Sequence, residues 1–162
     1  PGYHRRREGS ERMSVEISTS RVGHVAEVRF SRPPQNFASP ELLSKIADEL
    51  DRIDADNQVR CSVLSADGKH FCGGADLAGD EKVSSASGME VVGQLYEQAL
   101  RIFRRKKPMV AAVQGAAIGA GLGLALAADI LAIGPITGAA VNPDPATQRP
   151  IVPTFKRNRA RF

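Results

Sequence analysis

Two glycine-dense segments carry the chemistry legible in this chain. One is Lys69-His70-Phe71-Cys72-Gly73-Gly74-Ala75-Asp76-Leu77, and the other is Gln114-Gly115-Ala116-Ala117-Ile118-Gly119-Ala120-Gly121-Leu122-Gly123. Each follows a short apolar strand, and each lacks side chains where the main chain has to approach a ligand. Two sets of peptide N–H groups placed this way point at one developing negative charge, which is the chemistry of an oxyanion hole. A donor of that kind is worth roughly 3 kcal/mol to a reaction that puts charge on a carbonyl oxygen.

Other reactive-looking residues read more simply. Cys72 has no evident base beside it and fits a small wall residue better than a nucleophile. His24 sits on a strand face and His70 beside the first glycine segment, where histidines are ordinarily packed or solvated. Gly119-Ala120-Gly121-Leu122-Gly123 is not a dinucleotide fingerprint, because Leu124 stands where the last glycine belongs. The run Arg104-Arg105-Lys106-Lys107 reads as a solvated helix end, with contact to a coenzyme phosphate as the alternative.

Strands and helices must place these loops. Val22, His24, Ala26, Val28 and Phe30 alternate as one face of a strand, which Val15 to Thr19 pairs with. Ser39-Pro40-Glu41 supplies an N-cap, a proline at the first helical position and an acid in the first turn. The helix that follows runs to about Ile53, with Leu42, Leu43, Ile46, Leu50 and Ile53 inward. Val59, Cys61 and Val63 alternate again. Val83 to Gly88 reads as a mobile polar loop, and Ser87-Gly88-Met89-Glu90 has capping-box spacing. The second helix points Val92, Leu95, Tyr96, Ala99, Ile102 and Phe103 inward and stops before Pro108. Met109 to Val113 reads as a buried strand, Gly119 to Ala128 as a helix, and Asp129 to Ile133 as the next strand.

The bulk numbers set bounds. A chain of 162 residues, 42% apolar and 25% charged, suits one globular domain. Its net charge of +4 comes from the ends: residues 1–12 carry four basic and two acidic side chains, and residues 131–162 carry five and one. The middle is slightly acidic, so nucleic acid is not an expected partner. Cys61 and Cys72 are too few for a disulfide framework or a zinc site, which fits a reducing cytoplasm. No apolar stretch follows the arginines of residues 1–12, so no secretory signal is expected there.

In their order and separation, the segments around Cys72-Gly73-Gly74-Ala75-Asp76 and Gly119-Ala120-Gly121 resemble the crotonase superfamily, the enoyl-CoA hydratase/isomerase family of coenzyme A thioester enzymes. The resemblance runs from about Val15 to about Pro135. It implies an α/β fold, the crotonase-like (ClpP/crotonase) spiral of β-β-α units, incomplete at its C-terminal end. Residues 13–135 would form that core, 1–12 a disordered upstream segment with Met13 as the natural start, and 136–162 an atypical tail. The tail has four prolines and no periodicity, and predicts a truncated or frameshifted reading frame.

The same resemblance implies residue roles. Gly73 would give the first oxyanion donor and Ala120 the second. Gly73, Gly74, Ala75 and Asp76 would line the acyl-CoA site, with Asp76 fixing the loop, while Gln35 and Phe37 would touch the coenzyme. The partner would be an acyl-CoA thioester of fatty acid metabolism, with coenzyme A as part of the substrate, no metal or redox cofactor, and a trimer or dimer of trimers in the cytoplasm. Hydration needs two carboxylates within reach of the reacting carbons. The family's first aligns with Gly123 and its second would lie beyond Pro135, so no catalytic side chain is expected and hydratase or isomerase (lyase) activity should be weak or absent. Two alternatives stand beside this reading: a noncatalytic interaction protein on a degenerate crotonase fold, and a single-pass membrane protein using the 21 uncharged residues from Pro108 to Ala128.

Overall fold

The computed structural model describes residues 14–76 and 86–133, with side chains from 88 onward in the second stretch. Five strands and three helices alternate as β1 (Glu16–Val22), β2 (Val25–Ser31), α1 (Pro40–Ala55), β3 (Cys61–Ala66), α2 (Ala86–Phe103), β4 (Met109–Val113), α3 (Ala120–Leu126) and β5 (Ile130–Ile133). They form one sheet in the order β1-β2-β3-β4-β5. The first pair is antiparallel and the remaining three are parallel. Each parallel step crosses over through a helix, as it must for the chain to re-enter the sheet in the same direction.

The first strand pair differs from the expected single run. Val22 pairs with Val25 across a two-residue turn at Gly23-His24, where Gly23 has φ +58°. Hairpin turns of this length need that left-handed geometry, so the glycine interrupts the alternation. Val22 consequently ends β1 at 80% exposure instead of facing the core with Ala26, Val28 and Phe30.

Pairing register aligns Val28, Leu64 and Ala111 across three central strands, and all three are fully buried. In β3, Ser62 and Leu64 are the more buried positions, while Cys61 and Val63 are half-buried. A central parallel strand is covered on both faces, so alternation is a weak guide to which face is deeper. The α1 stripe is as expected: Leu42, Leu43, Ile46, Leu50 and Ile53 are all buried, and the Ser39 side chain accepts the Leu42 N–H at 3.2 Å. Phe30 and Phe71 meet edge to face at 5.3 Å beneath the first glycine loop.

The second helix begins at Ala86, so residues 86–88 are helical and Ser87 is inside the helix instead of capping it. Residues 1–13, 77–85 and 134–162 lie outside the described part, and with them the upstream segment, the first half of the expected 83–88 loop and the tail. Leu95 and Ile102 are buried, but Tyr96 and Phe103 are 70% and 55% exposed. They occupy the edge of the stripe that overhangs a cleft between α2 and α3. The basic run after α2 is a solvated end in half of its residues: Arg104 and Lys106 are exposed, and Arg105 and Lys107 are half-buried. Lys107 Nζ donates to the carbonyls of Ile53 and Asp56, and the Asp54 carboxylate accepts the N–H groups of Lys106 and Lys107 at 2.7 and 3.0 Å.

Glu27 links β2 to β3. Its carboxylate accepts the Ser65 hydroxyl at 2.7 Å and the Arg29 guanidinium at 2.8 Å, and these contacts hold its pKa below the ordinary glutamate value. The ionised form is therefore the one the fold favours. Its contribution is present above about pH 4.5 and is lost as pH falls through the depressed folded value. Ser65→Ala should lower stability by about 1 kcal/mol at pH 7, and the difference from the parent should be smaller at pH 3. Urea denaturation at the two pH values checks the sign.

Candidate functional site

The two glycine loops meet main chain to main chain. Cys72 forms a parallel bridge with Ala117: its N–H donates to Ala116 at 3.1 Å, and its carbonyl accepts the Ile118 N–H at 3.0 Å. Backbones this close leave no room for side chains. A Cβ on Gly121 would lie 2.3 Å from the Cys72 carbonyl oxygen, and one on Gly115 would lie 2.1 Å from that of Lys69. His70 adds a contact by accepting the Ala116 N–H on Nδ1 at 3.2 Å, and it shares the Gly68–Ala116 region with Gln114 Nε2, which donates to Ala66.

A second bridge orients the first loop. The Ala38 N–H donates to the Gly74 carbonyl at 2.7 Å and the Asp76 N–H donates to the Ala38 carbonyl at 2.8 Å. In a parallel bridge the residue between those two groups turns its own N–H to the opposite side. That residue is Ala75, and it lines the cleft. The Gly73 N–H, expected to face a ligand, donates to the Gln35 carbonyl at 2.8 Å. The Ala75 N–H, turned away from Ala38, is thus the amide of a residue that lines the cleft. Sequence spacing alone could not reveal this, because the choice depends on which amide Gln35 and Ala38 occupy.

The flanking loop is held by polar side chains that the sequence reading passed over. Asn36 is buried at φ +53°; its Oδ1 accepts the Arg32 N–H at 2.7 Å, and its Nδ2 donates to the carbonyls of Asp67 and His70 at 2.7 and 2.9 Å. Arg32 donates to the Phe37 carbonyl at 2.9 Å and pairs with Asp76. Asp76 is thus tied through Arg32 to the Phe37 loop. Gln35 is exposed and Phe37 half-buried on the same loop. Phe37 also packs near Gly73, where a Cβ would come within 3.1 Å of its ring.

The second donor position opens α3. Gly119, with φ +53°, is the N-cap and Ala120 the first helical residue, so the Ala120 N–H is among those that an α-helix leaves without an internal acceptor. Ala75, Gly119 and Ala120 border one cleft of about 420 Å³. Val92, Leu95, Tyr96, Ala99, Ile102 and Phe103 form its α2 wall, and Gly123, Leu124 and Ala127 continue its α3 wall. Tyr96 is the one lining residue with a polar side chain, among the described residues. Cys72 is buried behind the loop with its thiol against the Gly74 carbonyl, and burial pushes its pKa up. A thiol in that state is a poor nucleophile, which agrees with a wall role.

A family model described as enoyl-CoA hydratase/isomerase matches residues 20–137. The chain belongs to that family. A Thermus thermophilus protein named for enoyl-CoA hydratase is 42% identical over 114 residues, covering 67% of this chain and 45% of the relative. The 4-chlorobenzoyl coenzyme A dehalogenase-2 of an Arthrobacter species is 35% identical over 122 residues, covering 70% and 43%. The crystal structure of an enoyl-CoA hydratase subunit from Geobacillus kaustophilus superposes with a TM-score of 0.66 at 30% identity, covering 78% of this chain and 48% of that one. The chain spans about half the length of the relatives it matches. Family membership settles the fold as crotonase-type, and the segment proposed as a membrane span is divided between β4 and α3. Among the described residues, no helix is long and apolar enough to cross a membrane, and no group of side chains is arranged to hold a metal ion.

Two glycines of α3 give a paired test. Gly121→Ala forces a methyl into the Cys72 carbonyl and should cost about 3 kcal/mol or prevent folding. Gly123→Ala meets nothing within 4 Å and should stabilise by about 0.5–1 kcal/mol. Thermal denaturation of the two variants beside the parent chain measures both.

Proposed function

We propose that the chain binds acyl-CoA thioesters and holds the thioester carbonyl oxygen between the N–H groups of Ala75 and Ala120. The single observation that carries this reading is the cleft itself, which both residues border and whose other described lining residues, Tyr96 apart, have no polar side chain. A carbonyl oxygen that gains charge there is stabilised by donors already in place, in surroundings that keep water from competing. The dipole of α3 adds its positive end at Ala120. Relatives named for coenzyme A thioester chemistry support the choice of substrate class.

Chemistry beyond enolate stabilisation should be weak in this chain. General acid and base groups must sit within hydrogen-bond reach of the carbons that exchange protons, and no carboxylate lines the described cleft. Gly123 occupies the wall where the family's first glutamate aligns, with open space beside it. Asp76, the nearest acid in sequence to Ala75, is paired with Arg32. We therefore read a thioester-binding scaffold with little hydratase or isomerase activity. The noncatalytic reading on the same fold differs only in lacking acyl-CoA affinity.

Ala120 allows the donor to be removed without removing the helix. Proline is tolerated at the first helical position and lacks only the N–H at issue. Ala120→Pro should keep the parent's circular dichroism while weakening acetoacetyl-CoA binding about tenfold, which corresponds to one hydrogen bond to a charge-bearing oxygen. Free coenzyme A, which has no acyl oxygen, should bind the two proteins alike. Calorimetric titration gives the numbers; no binding of acetoacetyl-CoA by the parent chain, or rapid hydration of crotonyl-CoA by it, contradicts the reading.

A further inference from the structure

The end of the cleft away from Ala75 and Ala120 is held by Arg105, whose side chain is only 6% exposed. Its Nη1 donates to two carbonyls, that of Ile102 at 3.1 Å and that of Ala127 at 2.6 Å. Nη2 donates to the Asp129 carboxylate at 2.5 Å. Ile102 is in the last turn of α2 and Ala127 caps α3, so one guanidinium satisfies carbonyls at the C-terminal ends of both helices. A cation suits both ends, since each carries the negative pole of its helix.

The guanidinium is itself anchored to the sheet. Asp129 accepts the Met109 N–H at 2.8 Å on the same oxygen and returns its own N–H to the Met109 carbonyl at 2.9 Å. These contacts, with that from Arg105, hold its carboxyl below the usual aspartate range. The starts of β4 and β5, the end of α2 and the end of α3 are thus tied through one side chain. Lysine carries its donors on a single nitrogen and lacks the planar fork that spans these three acceptors.

Ile102, Phe103 and Ala127 all line the cleft, and α2 and α3 are its two long walls. From Ala120 to Ala127 the α3 wall is about 10 Å long, so an acyl group whose carbonyl sits at Ala120 runs toward the Arg105 end. We infer that Arg105 is a positioning residue that sets the spacing of α2 and α3, and with it the length of acyl group the cleft admits. The ligand half of this inference rests on the proposed thioester site; the spacing half does not.

The test pairs a distance with a selectivity. Spin labels at Leu100→Cys on α2 and Leu126→Cys on α3, both exposed positions, are placed in the full chain carrying Cys61→Ser. Pulsed electron resonance should give a narrow distance distribution with Arg105, a broad one displaced to longer distance with Arg105→Met, and an intermediate one with Arg105→Lys. In unlabelled protein, Arg105→Met should change the ratio of the butanoyl-CoA and decanoyl-CoA dissociation constants about tenfold, and Arg105→Lys should partly restore it. An unchanged distribution in Arg105→Met overturns the spacing role whether or not thioesters bind, and Arg105→Lys decides the matter by the same measurement if Arg105→Met does not fold. Equal loss of affinity for both thioesters overturns the length role. Absence of thioester binding by the parent chain overturns the proposed function and leaves the distance result to decide the spacing role.

Discussion

Main-chain contact between the Cys72 loop and the Ala116–Gly121 loop is the constraint on which the site depends. The bridge at Cys72 and Ala117 joins two connections that leave adjacent parallel strands, β3 and β4, at the same edge of the sheet. Its closeness is possible because Gly115 and Gly121 lack a Cβ where Lys69 and Cys72 present their carbonyls. The helix N-terminus at Ala120 and the Ala75 residue thereby border one cleft. Neither donor position would be defined if the loops were separated by even one methyl group, since interiors packed to this density do not absorb such an insertion without shifting backbone.

Much of this arrangement was legible in the residues. Ser39-Pro40-Glu41 marked the start of α1 because an N-cap, a proline and an acid each act through local backbone chemistry. The apolar stripe from Leu42 to Ile53 is buried as its spacing required. The order of strands and helices followed from alternating periods, and the family resemblance supplied the spiral. What was misread depended on tertiary contacts. Glycine at position 23 makes a turn that alternation alone could not expose. Tyr96 and Phe103 have the spacing of core residues but overhang the cleft. Arg105 and Lys107 looked like charges for water, yet both find carbonyl acceptors on other helices.

Which amides of the first glycine loop are already paired was not legible in the sequence. Gly73 looked like the donor because glycine density draws attention to the least substituted backbone. In the fold its amide donates to Gln35, and a Cβ there would crowd the Phe37 ring and the Gln35 carbonyl at 3.1 Å. Ala75 carries a side chain and attracts less notice, but it lines the cleft and its amide is turned away from the Ala38 bridge. Glycine content located the loop; hydrogen-bond pairing chose the amide. The same logic explains why Gly121 and Gly123, two residues apart in one short helix, play unlike parts: the first is required by a carbonyl, and the second faces open space where a carboxylate would give the cleft proton-transfer chemistry.

Convergence of two amides on one acyl oxygen is most directly tested by nitrogen-15 amide resonances followed during titration of the chain with an acyl-CoA thioester and, separately, with free coenzyme A. The amide protons of Ala75 and Ala120 should both move downfield with the thioester, in parallel and with one dissociation constant, and should stay in place with coenzyme A alone. A shift confined to Gly73, or movement of Ala75 and Ala120 with different affinities, would contradict the shared oxyanion site.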